Sequence, residues 1–259
     1  MDDNIDQGAL WGAEAQDWAK YQEPTSIPLW DAMMDATNAS KGTEILDAGC
    51  AAGGASLRAL ARGAKVTAVD IAENSIEIAK NRLPGARVEL ASIGDLPFAD
   101  NAFDAVICVN VIQFIPDVAA AMADLVRVTK PGGKVSVAIF GSPAEVEETT
   151  VFKAIVEAMG TPDTEFPEYR FSNPGVLEQL LRDADLKDIQ FAKINTPFIY
   201  ANDDIAWRAQ RSAGSIQDAM NQVGAEKIEA AAKGAFAKYQ KPDGSIHLDN
   251  MMWYATGTK

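Results

Sequence analysis

The residues of this sequence best suited to chemistry form a glycine-rich turn and an acidic residue that follows it. Asp47, Gly49 and Gly53 lie in the stretch LDAGCAAGG at 46–54, where an apolar run ends and a helical pattern begins. Glycine at such a turn lets the main chain approach a ligand closely, and crevices at this edge of an α/β sheet hold nucleotide-like cofactors. Asp70 follows Gly49 by 21 residues and ends the next apolar run. A carboxylate there can accept hydrogen bonds from both hydroxyls of a ribose, although an isolated acid is more simply a helix cap.

The spacing of the glycines and the acid before them restrict the class of cofactor. The turn lacks the second glycine of the dinucleotide fingerprint G-x-G-x-x-G, and it has no Walker lysine. Asp47 would repel a pyrophosphate but suits a ligand that carries an ammonium and a sulfonium. The residues therefore favour S-adenosylmethionine, with S-adenosylhomocysteine as its product. They leave a nicotinamide-dependent oxidoreductase as an alternative.

Composition and charge exclude several classes of function. The 259 residues include 23 Lys and Arg against 37 Asp and Glu, a formal net charge of −14. Because the basic residues are scattered, we expect no nucleic-acid partner. A single histidine, His247, and two cysteines leave no residues for a zinc site, a Ser-His-Asp triad or a disulfide framework. No apolar run reaches the roughly 20 residues that cross a membrane, and the acidic N-terminal residues do not resemble a signal peptide. We therefore expect a cytoplasmic protein without membrane contact, as a monomer or homodimer.

Strands and helices alternate regularly from residue 43 to residue 140. The strands predicted there are 44–49, 65–70, 87–91, 103–108 and 134–140, and the helices between them are 56–62, 73–83 and 118–128. Strands connected by helices of about ten residues form right-handed βαβ units and a parallel sheet with both faces covered. The sequence thus predicts an α/β fold in which the glycine-rich turn and Asp70 lie at one edge of the sheet.

The segments on either side of this alternation are mostly helical in pattern. Residues 1–40 are predicted to form an amphipathic helical cap, and residues 41–259 the main domain, with helical lid insertions at about 142–170 and 202–242. The other predicted elements are a helix at 175–184 and strands at 187–193, 197–201 and 245–255. Apolar residues alternate along the last of these strands, which closes the fold.

Four motifs together make the sequence resemble a class I S-adenosylmethionine-dependent methyltransferase, of the group that includes ubiquinone and menaquinone biosynthesis enzymes and many natural-product enzymes. The motifs are Glu44–Gly54, Val66–Ile71, Leu96–Asp104 and Thr129–Gly133, and they cover about residues 43–140. The resemblance implies a Rossmann-like seven-stranded sheet, mostly parallel, with helices on both faces. It also implies that Ser245–Ala255 is the antiparallel last strand, inserted between strands five and six.

The resemblance implies a role for each residue that matches the motifs of the family. Asp47, Gly49 and Gly53 would line the methionine portion of the cofactor, and Asp70 would hold the ribose hydroxyls. The residues expected around the adenine, the methionine tail and the open side of the cofactor are Ile71, Ser92, Ile93, Asn110 and Tyr21.

Three positions depart from the pattern of the family. Ala51 replaces a usual glycine of the turn, and Ser92 replaces an acid, so that the adenine receives a neutral hydrogen bond in place of a charge-assisted one. Gln113 stands where many relatives place a histidine, and a glutamine cannot take a proton at neutral pH. Catalysis then proceeds by proximity, with Gln113 orienting the acceptor, or it uses His247 or Tyr200 as a base.

The methyl acceptor is expected to be a small organic molecule. The Asn/Asp-Pro-Pro-Tyr motif of nucleic-acid amino methyltransferases is missing from the sequence, and the aromatic residues of the cap and lids indicate an apolar or aromatic acceptor. Methylation of oxygen, nitrogen or carbon stays open. Two alternatives without methyl transfer also stay open, namely a rearrangement or cyclisation and a catalytically silent binding protein.

Overall fold

The computed structural model describes residues 6–161 and 166–259, which form nine strands and eleven α-helices in those ranges. The strands are β1 (Glu44–Ala48), β2 (Lys65–Asp70), β3 (Arg87–Leu90), β4 (Phe103–Val109), β5 (Thr129–Phe140), β6 (Lys187–Asn195), β7 (Phe198–Tyr200), β8 (Ile246–Leu248) and β9 (Met251–Thr258). The helices are α1 (Gln7–Gly12), α2 (Ala15–Asp17), α3 (Ile27–Ala36), α4 (Gly54–Ala61), α5 (Glu73–Arg82), α6 (Val118–Val128), α7 (Thr149–Met159), α8 (Val176–Asp183), α9 (Asp203–Arg211), α10 (Gly214–Val223) and α11 (Ala225–Phe236). None of the helices in the described ranges has the length and apolar character needed to cross a membrane.

Seven of the strands form one sheet in the order β3-β2-β1-β4-β5-β9-β6. The strands β1 to β5 run parallel to one another, and β9 runs antiparallel to both of its neighbours, β5 and β6. This confirms the predicted α/β, Rossmann-like sheet with an antiparallel strand inserted between strands five and six. Because β2 and β4 lie on opposite sides of β1, the strand order reverses there and a crevice opens at the carboxyl end of β1.

The sheet is covered on both faces because its strands carry apolar residues on both sides. Neighbouring residues of a strand point to opposite faces, so Ile45 packs in a cluster with α3, α4 and α5, whereas Leu46 packs in a cluster with α6 and α8. A third cluster joins α7, α9, α10 and α11 to β7 and β8. The helices of the two predicted lids therefore share an apolar core of their own, which meets the main sheet at Phe140.

The predicted strand Ser245–Ala255 is wrong in its bounds, because two strands occupy this part of the chain. β8 pairs with β7 in a separate two-stranded sheet, and β9 begins three residues after β8 ends. Asn250 between them is fully buried, and its Oδ1 accepts the N–H of Glu148 at 3.0 Å. Its carbonyl accepts the N–H of Thr196 at 2.8 Å. These bonds to distant segments hold the bend, which a strand pattern read from the sequence cannot reveal.

Candidate active site

A cavity of about 390 Å³ lies at the carboxyl ends of β1, β2, β4 and β5. Eight of the predicted site residues lie in its wall, namely Asp47, Gly49, Asp70, Ile71, Ser92, Ile93, Asn110 and Gln113. Four others are not among the residues that line it, namely Gly53, Tyr21, Tyr200 and His247. The eight come together because the carboxyl ends of parallel strands meet at one edge of the sheet.

The turn after β1 has the backbone conformation that its glycines predict. Gly49 and Gly53 have φ angles of +83° and +87°, in the left-handed region that favours glycine. A Cβ on Gly49 would overlap the side chain of Val111, which packs directly against the turn. Ala51 also has a positive φ, +45°, so the alanine at the family's usual glycine position occupies a conformation that alanine disfavours. The turn thus brings bare main chain to the cavity at Gly49.

The carboxylate of Asp70 bridges the end of β2 and the turn after β1. Its Oδ2 accepts the N–H of Ala51 at 2.8 Å, and its Oδ1 accepts the N–H of Ala72 at 2.9 Å. Burial raises the pKa of this carboxyl, and the backbone N–H groups oppose the rise. The N-cap of α5 is Ala72, and no side chain caps this helix. The alternative interpretation of Asp70 as a helix cap is therefore wrong.

Asp47 is an acid inside the sheet, only 2 % exposed, whose Oδ2 accepts the hydroxyl of Ser56 at 2.6 Å. Burial raises its pKa to about 7, and the nearby charges of Glu23 and Asp70 add to the rise, whereas the Ser56 hydroxyl opposes it. A positively charged ligand in the cavity would restore the ionised carboxylate, because an opposite charge lowers the pKa of an acid. This end of the cavity is therefore suited to a cation.

The loop after β4 brings two amide side chains to the cavity. Asn110 has a φ of +54°, which asparagine tolerates better than most residues. Gln113 is 2 % exposed, and its Nε2 lies 3.5 Å from the Asn110 Oδ1, at the limit of a hydrogen bond. Its Oε1 is buried and has no hydrogen-bond partner among the described residues. Because buried polar atoms are normally paired, this carbonyl oxygen is available to a ligand.

Tyr21 and Gly53 have other surroundings than those expected from the resemblance. The guanidinium of Arg208 lies 4.7 Å from the ring centroid of Tyr21, and its Nη1 donates to the Tyr21 hydroxyl at 3.1 Å. Gly53 is the N-cap of α4, and a Cβ at this position would collide with the side chain of Leu83. Contact between these two residues and a cofactor therefore remains a prediction.

The two side chains suggested as bases lie away from the cavity wall. The Tyr200 hydroxyl donates to Gln22 Oε1 at 2.8 Å, and burial raises its pKa well above its usual value, so this phenol does not ionise near neutral pH. His247, on β8, pairs with Ile199 of β7, and its Nε2 is 2.9 Å from the hydroxyl oxygen of Ser245. Its pairing partner Ile199 is exposed, whereas the neighbouring Phe198 is buried and lines the cavity, so His247 lies on the other face of the two-stranded sheet and is not brought to the cavity.

Three buried acids in the cavity wall were not identified from the sequence: Glu23, Glu148 and Glu168. Glu23 is paired, since Arg82 Nη1 lies 2.6 Å from its Oε2 and the N–H of Gly54 donates to its Oε1 at 3.2 Å. Glu148 and Glu168 form no ion pair within the described ranges. No local signal marks them, because their burial is produced by segments far away along the chain.

Comparison with known proteins finds a family model that matches the part of the chain holding most of these residues. Residues 46–137 match the family model described as a methyltransferase domain. The demethylmenaquinone methyltransferase of Tropheryma whipplei is 40% identical over 105 residues, which are 39% of this chain and 44% of that protein. The chain therefore spans less than half the length of this relative.

Two crystal structures have a similar fold. The YcgJ protein of Bacillus subtilis matches with a TM-score of 0.59 and 20% identity, covering 89% of this chain and 97% of that one. The phosphoethanolamine N-methyltransferase 2 of Haemonchus contortus, in complex with phosphomonomethylethanolamine and S-adenosylhomocysteine, matches with a TM-score of 0.55 and 21% identity, covering 88% of this chain and 51% of that one. At these identities the likeness concerns the fold. The family match and the fold agree with the resemblance seen in the sequence: residues 46–137 match the model of a methyltransferase domain, and the described chain shares the α/β fold of these two structures.

Proposed function

We propose that this protein transfers the methyl group of S-adenosylmethionine to a small organic acceptor. The observation that carries the proposal is the meeting of Asp47, the bare main chain at Gly49, and Asp70 in the wall of one cavity. They meet at the point where the strand order reverses, within the methyltransferase domain. Binding sites of open α/β sheets lie at such points.

The residues of the wall fit the chemical groups of the cofactor. Asp47 is buried with a raised pKa, and a cation beside it would favour its ionised form, which suits the ammonium and the sulfonium. Asp70 has an acceptor oxygen for each ribose hydroxyl, because each of its oxygens has more than one acceptor site. Ile71 and Ile93 supply apolar surface for the adenine, and Ser92 lies beside them in the wall.

The chain would accelerate methyl transfer chiefly by positioning. When bound, S-adenosylmethionine supplies a methyl group on a sulfonium, which is already activated toward a nucleophile. Gln113 would orient the acceptor through its unpaired carbonyl oxygen, and Asn110 holds the Gln113 amide from the loop after β4. Aromatic side chains from the cap and lids exclude water, which strengthens the electrostatic interactions inside the cavity.

We propose that residues 1–40 form a cap over the cofactor and that the segments at about 142–170 and 202–242 form lids over the acceptor. Trp11 and Trp18 line the cavity from the cap, Phe152 from the first lid, and Gln210 from the second. Residues 1–5 and 162–165, which fall in the predicted cap and first lid, lie outside the described residues.

Titration calorimetry tests the choice of cofactor. We expect saturable binding of S-adenosylhomocysteine and much weaker binding of NADH, because Asp47 and the acids near it repel a pyrophosphate. Binding of NADH with equal or higher affinity would contradict the proposal. In reactions with candidate acceptors, methylated product and S-adenosylhomocysteine should form in equal amounts. A product formed without S-adenosylhomocysteine would instead indicate a rearrangement or cyclisation.

A further inference from the structure

A group of acidic and aromatic side chains from the end of β5 and the segments after it forms one part of the cavity wall; we call it the lid wall. It consists of Phe140, Glu148, Phe152, Glu168 and Phe198. The aromatic rings are in contact, since the Phe140 centroid lies 6.4 Å from that of Phe152 and 6.4 Å from that of Phe198. The cofactor residues Asp47 and Asp70 come from β1 and β2, so the lid wall is the part of the cavity left for the acceptor.

Glu148 is the most unusual side chain of the lid wall. It is 1 % exposed, and neither oxygen of its carboxyl has a hydrogen-bond partner among the described residues. Its position is well fixed, because its N–H donates to the Oδ1 of the buried Asn250 and it directly precedes α7. A buried, unpaired carboxyl is costly to fold, which indicates that a ligand completes its bonding.

The charges around the cavity indicate the sign of that ligand. Five carboxyl groups line it, those of Glu23, Asp47, Asp70, Glu148 and Glu168, and no Lys, Arg or His is among the described residues of its wall. Burial and the charge of Glu168 raise the pKa of Glu148 to about 8, and burial raises that of Glu168. Both acids would be ionised at neutral pH beside a cation.

On the basis of the function proposed above, we propose that the acceptor is an amine with an apolar body, held by Glu148 and Glu168, and that Glu148 takes its proton before methyl transfer. An ammonium would supply hydrogen-bond donors to both acids, and the phenylalanine rings would pack on its apolar body and interact favourably with its charge. An anionic acceptor would be repelled by these acids, and a neutral alcohol could hydrogen-bond to them but would form no ion pair.

The proposed reaction balances protons and electrons. The ammonium form of the acceptor releases one proton to the Glu148 carboxylate, which becomes a neutral carboxylic acid. The nitrogen lone pair then forms a bond to the methyl carbon, and the electron pair of the breaking C–S bond stays on sulfur, which leaves a neutral thioether. The product is a methylated ammonium ion, and Glu148 returns its proton to water after release. The raised pKa of Glu148 suits it to this task, because it brings the pKa of the carboxyl closer to that of the ammonium that gives up the proton.

Binding of matched probes to the protein saturated with S-adenosylhomocysteine tests the proposal by calorimetry. The probes are 2-phenylethylamine, 2-phenylethanol and phenylacetate, which share the ring and differ in the polar group. We expect the amine to bind at least tenfold more tightly than the alcohol, about 1.4 kcal/mol, and phenylacetate not to bind. Equal affinities for amine and alcohol, or binding of neither, would overturn the proposal.

Two substitutions locate the effect. Glu148→Gln should lower the affinity for the amine at least tenfold and leave that for S-adenosylhomocysteine unchanged. Glu157→Gln, at an exposed position on α7, should change neither affinity. Glutamine has nearly the shape of the protonated glutamate, so we expect the first variant to fold. An unchanged affinity of Glu148→Gln for the amine would contradict the assignment of Glu148 to the acceptor. Failure of the unsubstituted protein to bind S-adenosylhomocysteine would instead contradict the proposed function.

Discussion

The carboxylate of Asp70, which we assign to the ribose hydroxyls, also accepts hydrogen bonds from two main-chain N–H groups. Its oxygens accept N–H groups from Ala51 in the turn and from Ala72 before α5. The side chain is therefore fixed before a ligand arrives, which lowers the entropy lost on binding. At this scale the sequence was sufficient for the acids that end strands, because their positions follow from the strand pattern.

We expect Asp70→Ala to weaken binding of S-adenosylhomocysteine by about 1.5–3 kcal/mol, the usual contribution of hydrogen bonds to a charged group. Asp70→Asn should weaken it less, because an amide oxygen still accepts one hydrogen bond. Calorimetry measures both affinities. Asp183→Ala, at an exposed position on α8, serves as the control. An Asp70→Ala protein with unchanged affinity would rule out the ribose assignment.

At the scale of elements, Glu23 connects the N-terminal segment, which we propose to be a cap, to the turn after β1 and to α5. This acid is 3 % exposed, and it bonds to Arg82 at the end of α5 and to the N–H of Gly54 at the start of α4. Arg82 also donates to the carbonyl of Ala52 at 2.8 Å. One ion pair therefore joins the cap, the turn after β1 and α5, and it fixes the wall of the cavity.

Replacing Arg82 by leucine should lower the free energy of unfolding by about 2–4 kcal/mol, because it leaves the Glu23 carboxylate buried without a counter-charge. Adding Glu23→Gln should recover part of the loss. Lys65→Met removes an exposed ion pair with Glu44, and it should lower the free energy of unfolding far less than Arg82→Leu does. Urea denaturation measures all three. Equal losses of unfolding free energy for Arg82→Leu and Lys65→Met would show that the buried Glu23–Arg82 pair stabilises the protein no more than an exposed pair does.

The elements predicted well were those with local signals. The alternation between residues 43 and 140 gave β1 to β5 because apolar runs, glycine turns and helical periods all lie within short segments. The split of Ser245–Ala255 into β8 and β9, and the burial of Glu148, both depend on Asn250 and the segments that it contacts. These two contacts join residues 102 and 54 positions apart, and a local pattern contains no information about them.

At the scale of the whole molecule, the net charge is −14, and the acids differ in whether a basic residue lies beside them. Acids on the outside, such as Asp104 and Glu145, have basic partners that lower their pKa values. In the cavity, Asp47 and Glu148 have pKa values of about 7 and about 8. In the ligand-free protein, the ionised forms of acids are therefore least stable in the cavity.

This distribution predicts that the ligand-free protein loses stability as the pH rises from about 5 to about 8. In the folded state Asp47 and Glu148 lose their protons only near pH 7 and pH 8, whereas in the unfolded chain they lose them near their ordinary pKa values of 3.8 and 4.5. The unfolded state thus binds fewer protons, and stability falls with pH, by about 1.4 kcal/mol for each tenfold difference in proton affinity. The acids with lowered pKa values act in the opposite direction, but only below about pH 4.

Urea denaturation over this pH range measures the effect. Glu148→Gln should make the decline shallower, because the amide does not titrate, whereas Glu157→Gln should leave it unchanged. A stability that is constant or increases over the range would contradict the assignment of raised pKa values to these two acids.

The position of β9 has a consequence for how the chain reaches this structure. β6 is hydrogen-bonded to the main sheet only through β9, and Phe140 at the end of β5 pairs with Met252 of β9. Everything between these two residues, including Glu148, Glu168 and Phe198, lies in one long closed loop. Non-local pairings of this kind form slowly, whereas β1 to β5 need only short crossovers. During refolding we therefore expect β1 to β5, with Asp47 and Asp70, to be ordered first, and the lid wall, whose residues come from distant segments, to form last.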